Sequence, residues 1–416
     1  MKFMTASRYT LIGKVIAFIV LACAAIPGML SALTFRTITV TETNPLSATL
    51  STLTPGAASI TANGSSTQVL TVTERGPQGI RQSSGGAAVT ITKQSGTGSI
   101  RAVTDNHNGT YTATVTAPTA TGSGSFVATL NGAEVKSGTG TQTQATVTYV
   151  AGAATQIAVN GGDAQSAKVG TAVTTAPSVI VKDANNNPVS GVSVTFANGT
   201  GGSVSGTLTA TTGINGIALF EGTWTLNTVD SNTLTATSGT LGGSPVTFTA
   251  SGTVAIGDSY GGGIVAYILQ SGDLGYVAGE THGLIAATAD QSTATIPWAL
   301  DQNYFSSVPG GTSAAIGTGS ANTDNIIDQN GSGQDYAAGL ARAYNGGGYS
   351  DWYLPSKDEL NQLYINRSAV GVFSGHDYWS STEKIFDLAW NQSFFYGNNY
   401  PEHKQNTCSV RAVRAF

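Results

Sequence analysis

The chain has little cysteine. It contains two cysteines in 416 residues, Cys23 and Cys408. Cys23 lies in an apolar run near the N-terminus, inside a predicted export segment, so Cys408 would be alone in the mature chain and no intrachain disulfide would form. No histidine or cationic residue stands beside Cys408 to activate its thiol, so we expect it to be a small buried residue of the last strand rather than a nucleophile.

Charged and metal-ligating side chains are also scarce. Only 10% of the residues are charged and the net charge is −5, and no basic cluster lies beyond the N-terminus. This excludes the positive surface that nucleic-acid binding requires. No spacing typical of zinc ligands joins the four histidines, which are His107, His282, His376 and His403. We therefore expect neither an enzyme nor a bound cofactor.

Glycine is abundant, with 53 residues, and threonine, serine, valine and alanine supply much of the remainder. This composition is typical of β proteins and excludes a helical bundle. The length predicts two to four domains.

The N-terminus has the charge order of an export signal. Lys2, Arg8 and Lys14 precede the apolar run 15–33. Residues 1–33 are either a cleaved signal or an N-terminal anchor, since about nineteen apolar residues would just span a bilayer. We expect the protein to leave the cytoplasm and to contact a membrane only through this segment.

Two copies of a strand-rich pattern follow, at residues 44–150 and 154–253. The turn signals Asn108-Gly109 and Asn215-Gly216 recur 107 residues apart, and each precedes a strand with alternating apolar residues. This spacing predicts one β-sandwich domain per copy. The second copy contains PSVIVKDANNNPVSGVSVTF and resembles the bacterial Ig-like group 1 domain of invasins and intimins. The first copy resembles it more loosely, because ERGPQGIRQSSGG replaces the DANGNPV-type turn.

The C-terminal part carries an ordered series of aromatic motifs. Ser356 followed by Glu359 is a capping box that predicts a helix. One face of that helix would bury Leu360, Leu363 and Tyr364. Before it, Trp352 and Leu354 alternate with Tyr353 as in a half-buried strand. After it, Leu388, Trp390, Phe394 and Tyr396 share one strand parity. Because strands bury alternate residues, we expect Trp379, Trp390 and one of Phe394 or Phe395 to lie in the core. SVRAVRAF predicts a closing strand.

These motifs resemble the Lcl C-terminal domain family, named for a bacterial collagen-like adhesin. They are more distantly similar to the C-type-lectin-fold variable proteins that retroelements diversify. The resemblance spans residues 255–416, includes a first helix at 334–344, and implies a C-type-lectin-like fold with a binding role. Calcium-dependent sugar lectins carry a Trp-Asn-Asp triplet, whereas Gln392 follows Trp390 and Asn391 here. A calcium-bridged sugar is thus unsupported by the sequence.

The segment 390–406 combines aromatic rings with asparagines and little charge. Rings supply contact area at low entropic cost and asparagine supplies adaptable hydrogen bonds, as in antibody paratopes. We interpret it as a binding loop whose candidate ligand-binding residues are Asn391, Tyr396, Asn398, Asn399, Tyr400 and His403.

The sequence predicts a mainly β protein with two Ig-like β-sandwich domains in tandem and a C-terminal α+β C-type-lectin-like domain. The function that fits is an adhesin displayed on a cell or virion surface, whose Ig-like stalk presents a tip that binds a glycan or a cell-surface protein. The alternative is a structural fibre protein, in which the C-terminal module forms homotrimers and the Ig-like domains contact the receptor.

Overall fold

The computed structural model describes residues 45–416, so the predicted export segment 1–33 lies outside the described residues. Within that part, no helix is long and apolar enough to cross a membrane. The polypeptide forms three successive units, each with its own buried apolar core. We call them the first sandwich (45–150), the second sandwich (154–253) and the C-terminal module (255–416).

The first sandwich consists of two five-stranded sheets, ordered β1-β3-β7-β5 with β6 beside β7, and β2-β10-β8-β4 with β9 beside β8. Successive side chains of β7 and β10 alternate between the core and the outside, as the two-residue repeat of a strand requires. The strands are β1 (Thr52–Thr54), β2 (Ala57–Thr61), β3 (Thr67–Thr73), β4 (Val89–Gly96), β5 (Ser99–Ile100), β6 (Thr104–Asp105), β7 (Thr110–Thr116), β8 (Gly122–Leu130), β9 (Ala133–Glu134) and β10 (Gln144–Val150).

The second sandwich has a three-stranded sheet, β11-β13-β17, a five-stranded sheet, β12-β20-β19-β14-β16, and the pair β15-β18. Its core contains the rings of Phe196 and Phe220, whose centroids lie 5.0 Å apart. The strands are β11 (Ala154–Gly161), β12 (Gln165–Lys168), β13 (Ser178–Asp183), β14 (Ser193–Asn198), β15 (Gly202–Ser205), β16 (Thr209–Thr211), β17 (Ile217–Leu219), β18 (Thr223–Leu226), β19 (Asp230–Thr237) and β20 (Val246–Thr253).

The C-terminal module combines a four-stranded sheet, β21-β22-β23-β29, and a five-stranded sheet, β24-β28-β25-β26-β27, with four α-helices. Its strands are β21 (Ser259–Tyr260), β22 (Gly263–Ile268), β23 (Gly283–Ala286), β24 (Ser292–Pro297), β25 (Asp377–Ile385), β26 (Leu388–Ser393), β27 (Asn399–His403), β28 (Thr407–Val410) and β29 (Val413–Ala415). Its helices are α1 (Gly319–Asn330), α2 (Ala337–Ala343), α3 (Lys357–Ile365) and α4 (Arg367–Val370), with 3-10 turns at Asp301–Asn303 and Gly346–Gly348.

The predicted capping box is confirmed at the start of α3. The backbone N–H of Glu359 donates to Ser356 Oγ over 3.3 Å, and the N–H of Ser356 donates to Glu359 Oε2 over 2.8 Å. Leu360 and Leu363 are fully buried and Tyr364 packs beside them, so the predicted apolar face is also confirmed. The fold class predicted from the sequence, mainly β with tandem Ig-like sandwiches and helices confined to the C-terminal region, is confirmed as well.

Two local predictions are wrong. The first helix of the module is α1, whose polar sequence GSANTDNIIDQN has no continuous apolar stripe, and the predicted helix at 334–344 is only the second, shorter helix α2. Trp352, Tyr353 and Leu354 do not alternate between core and solvent, since all three are buried. Trp352 and Leu354 belong to one core cluster and Tyr353 to another, because this segment lies between the two cores of the module.

Candidate functional site

The predicted binding segment 390–406 is a β-hairpin rather than an irregular loop. Trp390 in β26 stands opposite Pro401 in β27, and Asn391 stands opposite Tyr400. The turn is closed by backbone hydrogen bonds from Ser393 to the carbonyl of Asn398 and from Gly397 to the carbonyl of Ser393. Gly397 has a φ of 87°, in the left-handed region that favours glycine, so the turn places its side chains at fixed positions.

Asn391 is only 1% exposed and cannot contact an external ligand in this structure. It faces inwards opposite Trp379 of β25, and its Nδ2 lies 3.9 Å from Cys408 Sγ. The expected strand parity, which placed Trp390 in the core, was wrong. β26 buries Ala389 and Asn391 and leaves Trp390 half-buried. Cys408 is buried as predicted, but it lies in β28 and not in the last strand, β29. Burial raises the pKa of its thiol to about 12.

The other five candidates differ in accessibility. Tyr396 is 81% exposed, and Asn398 and His403 are exposed too. Asn399 and Tyr400 are half-buried. The Tyr400 hydroxyl donates to the Asp377 carboxylate, and burial together with that bond raises the pKa of Tyr400. Tyr400 therefore holds β27 in place, whereas Tyr396 and Asn398 are accessible to a ligand. His403 is exposed as well, although its Nδ1 lies 3.5 Å from Asp387 Oδ2.

The hairpin turn presents two adjacent aromatic rings to solvent. Phe395 is 73% exposed, and its ring centroid lies 4.7 Å from that of Tyr396 in an edge-to-face arrangement. The neighbouring Phe394 is buried and packs against Phe373 at 4.4 Å between centroids. We call Phe395 and Tyr396 the turn pair. The sequence indicated that one of the two phenylalanines is buried, but it did not distinguish which ring is displayed.

A second cluster of exposed side chains lies around a buried lysine, and it was not predicted from the sequence. Lys404 is fully buried, and its ammonium group donates to the carbonyl oxygens of Ser306 and Phe386 and to Glu383 Oε1 over 2.5 to 2.9 Å. It therefore ties together three segments: the loop around Ser306, the turn between β25 and β26, and its own turn between β27 and β28. Phe305 and Phe386 are 64% and 51% exposed on these segments. Neither residue belongs to a motif recognised in the sequence, so no local signal marks them as exposed.

The exposed aromatic residues are confined to one unit. All seven aromatic residues of the two sandwiches are buried. Every exposed aromatic side chain of residues 45–416 lies in the C-terminal module, and these are Tyr276, Phe305, Tyr349, Phe386, Phe395 and Tyr396. Exposed large apolar side chains of the sandwiches, such as Ile214 at 94%, are all aliphatic. Since aromatic residues dominate binding energy at interfaces, this distribution singles out the module.

A cleft of about 460 Å³ in the module is a weaker candidate, because its polar groups already have partners within the chain. Asp351 in the cleft is paired with Arg414 through two hydrogen bonds of 2.8 Å. The two ring nitrogens of His282 lie 3.0 Å from Glu280 Oε2 and 3.1 Å from the carbonyl oxygen of Phe416.

No group of three or more His, Cys, Asp or Glu side chains among residues 45–416 is arranged to hold a metal ion. The hairpin offers ring faces, amides and one imidazole for contact. These groups support non-covalent recognition of a ligand.

A buried carboxyl in the first turn of α3 makes the stability of the module depend on pH. Burial raises the pKa of Glu359 to about 7, from an ordinary 4.5, although the N–H groups of Ser356 and Gly317 donate to the carboxylate. The folded protein thus holds this proton more tightly than the unfolded chain does. The contribution of Glu359 to stability is fully present below about pH 4.5 and is lost as the pH rises to about 7.

We therefore expect Glu359→Gln to gain stability relative to the parent as the pH rises. The difference in the free energy of unfolding between the two proteins should change by roughly 1 to 3 kcal/mol between pH 5 and pH 8. Chemical denaturation followed by tryptophan fluorescence at both pH values measures it, since four of the five tryptophans lie in the module. A difference that does not change with pH would contradict the assignment to Glu359.

The fold and the site define a multi-domain β protein whose tandem Ig-like sandwiches precede an α+β module with an exposed aromatic hairpin. Residues 47–152 match the family described as invasin, domain 3, and residues 286–414 match the Lcl C-terminal domain family. Both resemblances predicted from the sequence are thereby confirmed. The invasin match falls on the first sandwich, the copy whose turn departs further from the repeat pattern.

Similar solved structures include several described as adhesins. Adhesin InvE of Yersinia pseudotuberculosis is 20% identical with a TM-score of 0.33, and the match covers 88% of this chain and 99% of that chain. The Escherichia coli adhesin FdeC is 18% identical with a TM-score of 0.38, covering 62% and 72%. Invasin, a bacterial integrin-binding protein, is 16% identical with a TM-score of 0.38, covering 90% and 81%. No curated protein sequence matches the chain.

Proposed function

We propose that this protein is a surface-displayed adhesin whose two sandwiches form a stalk and whose C-terminal module contacts the ligand. The observation that carries the proposal is the confinement of exposed aromatic side chains to the module. The matches to an invasin domain and to the Lcl C-terminal domain support it. The export segment predicted at 1–33 would deliver the chain to the outside, where a glycan or a cell-surface protein is the partner.

The stalk role follows from the construction of the sandwiches. A domain of 100 residues has a radius of gyration of about 13 Å, so two in series would hold the module several nanometres from its point of attachment. All of their aromatic side chains are buried in the cores. This leaves the sandwiches well suited as spacers and poor in the side chains that usually dominate an interface.

The contact surface we propose is the turn pair, flanked by Asn398 and His403. We expect Phe395→Ser with Tyr396→Ser to weaken binding at least about tenfold, because one aromatic hot spot is commonly worth 2 kcal/mol or more. The melting temperature should hardly change, since both rings are exposed. The measurement is the binding of the full chain to cultured epithelial cells, before and after protease treatment, and to a glycan array.

Two matched double variants serve as controls for this test. Phe305→Ser with Phe386→Ser examines the group around Lys404, and Ile214→Ser with Leu219→Ser examines an exposed apolar pair of the second sandwich. If only the sandwich pair reduces binding, the Ig-like part makes the contact and the fibre-protein alternative gains support. If the pair at Phe305 and Phe386 alone reduces binding, the module remains the binding unit but its surface lies at the Lys404 end.

A further inference from the structure

The turn between β13 and β14 of the second sandwich inserts its polar side chains against the first sandwich. Asn187 is only 5% exposed, and the partners of its carboxamide lie mainly in the other unit. Its Oδ1 accepts the N–H of Thr121 over 3.0 Å, and its Nδ2 donates to the carbonyls of Thr119 over 2.8 Å and Ala62 over 3.4 Å. Both ends of one amide thus bind the backbone of the neighbouring sandwich.

Asp183 holds that amide in position. Its Oδ1 accepts the backbone N–H groups of Asn185 and Asn187, over 2.8 and 2.9 Å, and its Oδ2 accepts Asn187 Nδ2 over 3.1 Å. Oδ2 also accepts the N–H of Gly152 over 2.8 Å, in the three-residue linker 151–153 between the sandwiches. Asp183 is 1% exposed, and this one buried carboxylate binds both the linker and the turn whose Asn187 contacts the first sandwich.

The repeat itself shows that a sandwich does not need this amide in order to fold. The backbone bridge between Lys182 and Pro188 in the second sandwich recurs 107 residues earlier as the bridge between Arg75 and Arg81. In the first sandwich, the position equivalent to Asn187 is Ile80, whose side chain is 64% exposed. The same turn therefore forms without an amide, and the burial of Asn187 belongs to the contact between sandwiches.

We propose that Asp183 and Asn187 form a clamp that locks the second sandwich onto the first, so that the two move as one rigid body. A linker of three residues limits the distance between two domains but leaves rotation about its backbone dihedrals. Hydrogen bonds between one planar amide and the backbone of Thr119, Thr121 and Ala62 remove that rotation, since the amide plane and its partners must keep one orientation. The joint is stiff whatever ligand the C-terminal module binds.

The joint to the C-terminal module has different chemistry. Asp230 accepts the N–H and the Oγ1 hydroxyl of Thr281 over 2.8 and 2.9 Å, and Lys168 forms an ion pair with Asp258. Lys168 is 55% exposed in its side chain, unlike Asp183 and Asn187. The clamp is thus a feature of the joint between the sandwiches.

The test measures the distance distribution between spin labels on the two sandwiches of the full chain. Labels are attached to Thr146→Cys and Thr195→Cys, both exposed strand positions, after Cys23→Ser and Cys408→Ala. Double electron–electron resonance should give one narrow distribution in the parent. Asn187→Ala should broaden it at least twofold, and Asn187→Asp should broaden it too, because a carboxylate cannot donate to the Thr119 and Ala62 carbonyls.

Asn185→Ala is the matched control, since Asn185 is an exposed asparagine of the same turn whose backbone alone binds Asp183. It should leave the distribution as narrow as in the parent. Circular dichroism and melting of each variant separate a loosened joint from an unfolded sandwich. A broad distribution in the parent, an unchanged width in a folded Asn187 variant, or equal broadening in Asn185→Ala would overturn the clamp.

Discussion

Replacing Lys404 by methionine should lower the free energy of unfolding of the C-terminal module by about 3 to 5 kcal/mol. The lysine is fully buried and is the ion-pair partner of Glu383, so its loss leaves a mostly buried carboxylate and two carbonyl groups without their donor. Its ammonium also lies 4.8 Å from the centroid of the Trp298 ring, and the neutral thioether of methionine would replace this cation–π contact by a weaker sulfur–aromatic contact. Chemical denaturation of the full chain, followed by tryptophan fluorescence, measures the effect.

Two further variants distinguish a lost ion pair from a general packing defect. Lys384→Met removes an exposed lysine that forms no ion pair among residues 45–416 and only a cation–π contact with Trp390, so it should change stability by no more than about 1 kcal/mol. Adding Glu383→Gln to Lys404→Met should recover part of the loss, because the unpaired charge is then removed. Equal stability of Lys404→Met and the parent would mean that the three segments are held together without the lysine.

Trp379→Ala should destabilise the module by about 3 to 5 kcal/mol, the usual cost of deleting a fully buried aromatic side chain. Trp379 is 0% exposed, and its Nε1 donates to the carbonyl of Ile296 over 3.0 Å. The deletion would therefore create a cavity and leave a buried carbonyl without a partner.

Trp390→Ala is the matched comparison and should cost less, roughly 1 to 2 kcal/mol, because that ring is only half-buried. Lys357 and Lys384 lie 4.6 and 5.2 Å from its centroid and would lose a cation–π contact. Urea denaturation of both variants tests the ranking. A larger loss for Trp390→Ala than for Trp379→Ala would contradict the burial of the two rings.

Local signals in the sequence were sufficient for much of the architecture. The capping box at Ser356 and Glu359 acts over three residues, and strand alternation in the sandwiches acts over two, so both are readable without the fold. Helix α1 could not be predicted in this way. Its polar residues bind distant segments, as when Asn322 donates to Ser381 Oγ over 3.2 Å and Thr323 to the carbonyl of Leu354 over 3.3 Å.

The candidate site likewise has features that the sequence predicted and features that only the fold decides. Its location in the hairpin 390–406 was predictable from composition, since aromatic and asparagine residues concentrate there. Which side chains face solvent was not, because a shift of one residue in register exchanges the two faces of a strand. Asn391 stands opposite Trp379 in β25 and Tyr400 in β27, and the pairing register of these strands decides that it faces inwards.

The sequence by itself determined the β class, the α3 cap and the repeat of 107 residues, because each depends on composition, strand alternation, turn signals or local hydrogen bonding. The resemblance of the C-terminal part to the Lcl C-terminal domain rested on the order of its motifs. The tertiary structure alone decided three features: the display of Phe395 and Tyr396, the burial of Lys404 beneath three segments, and the contact of Asn187 with the first sandwich. Lys404 and Asn187 contact residues 98 and 125 positions away in the chain, and only the packing of whole sheets brings such residues together. The display of Phe395 and Tyr396 depends instead on the register of the hairpin strands.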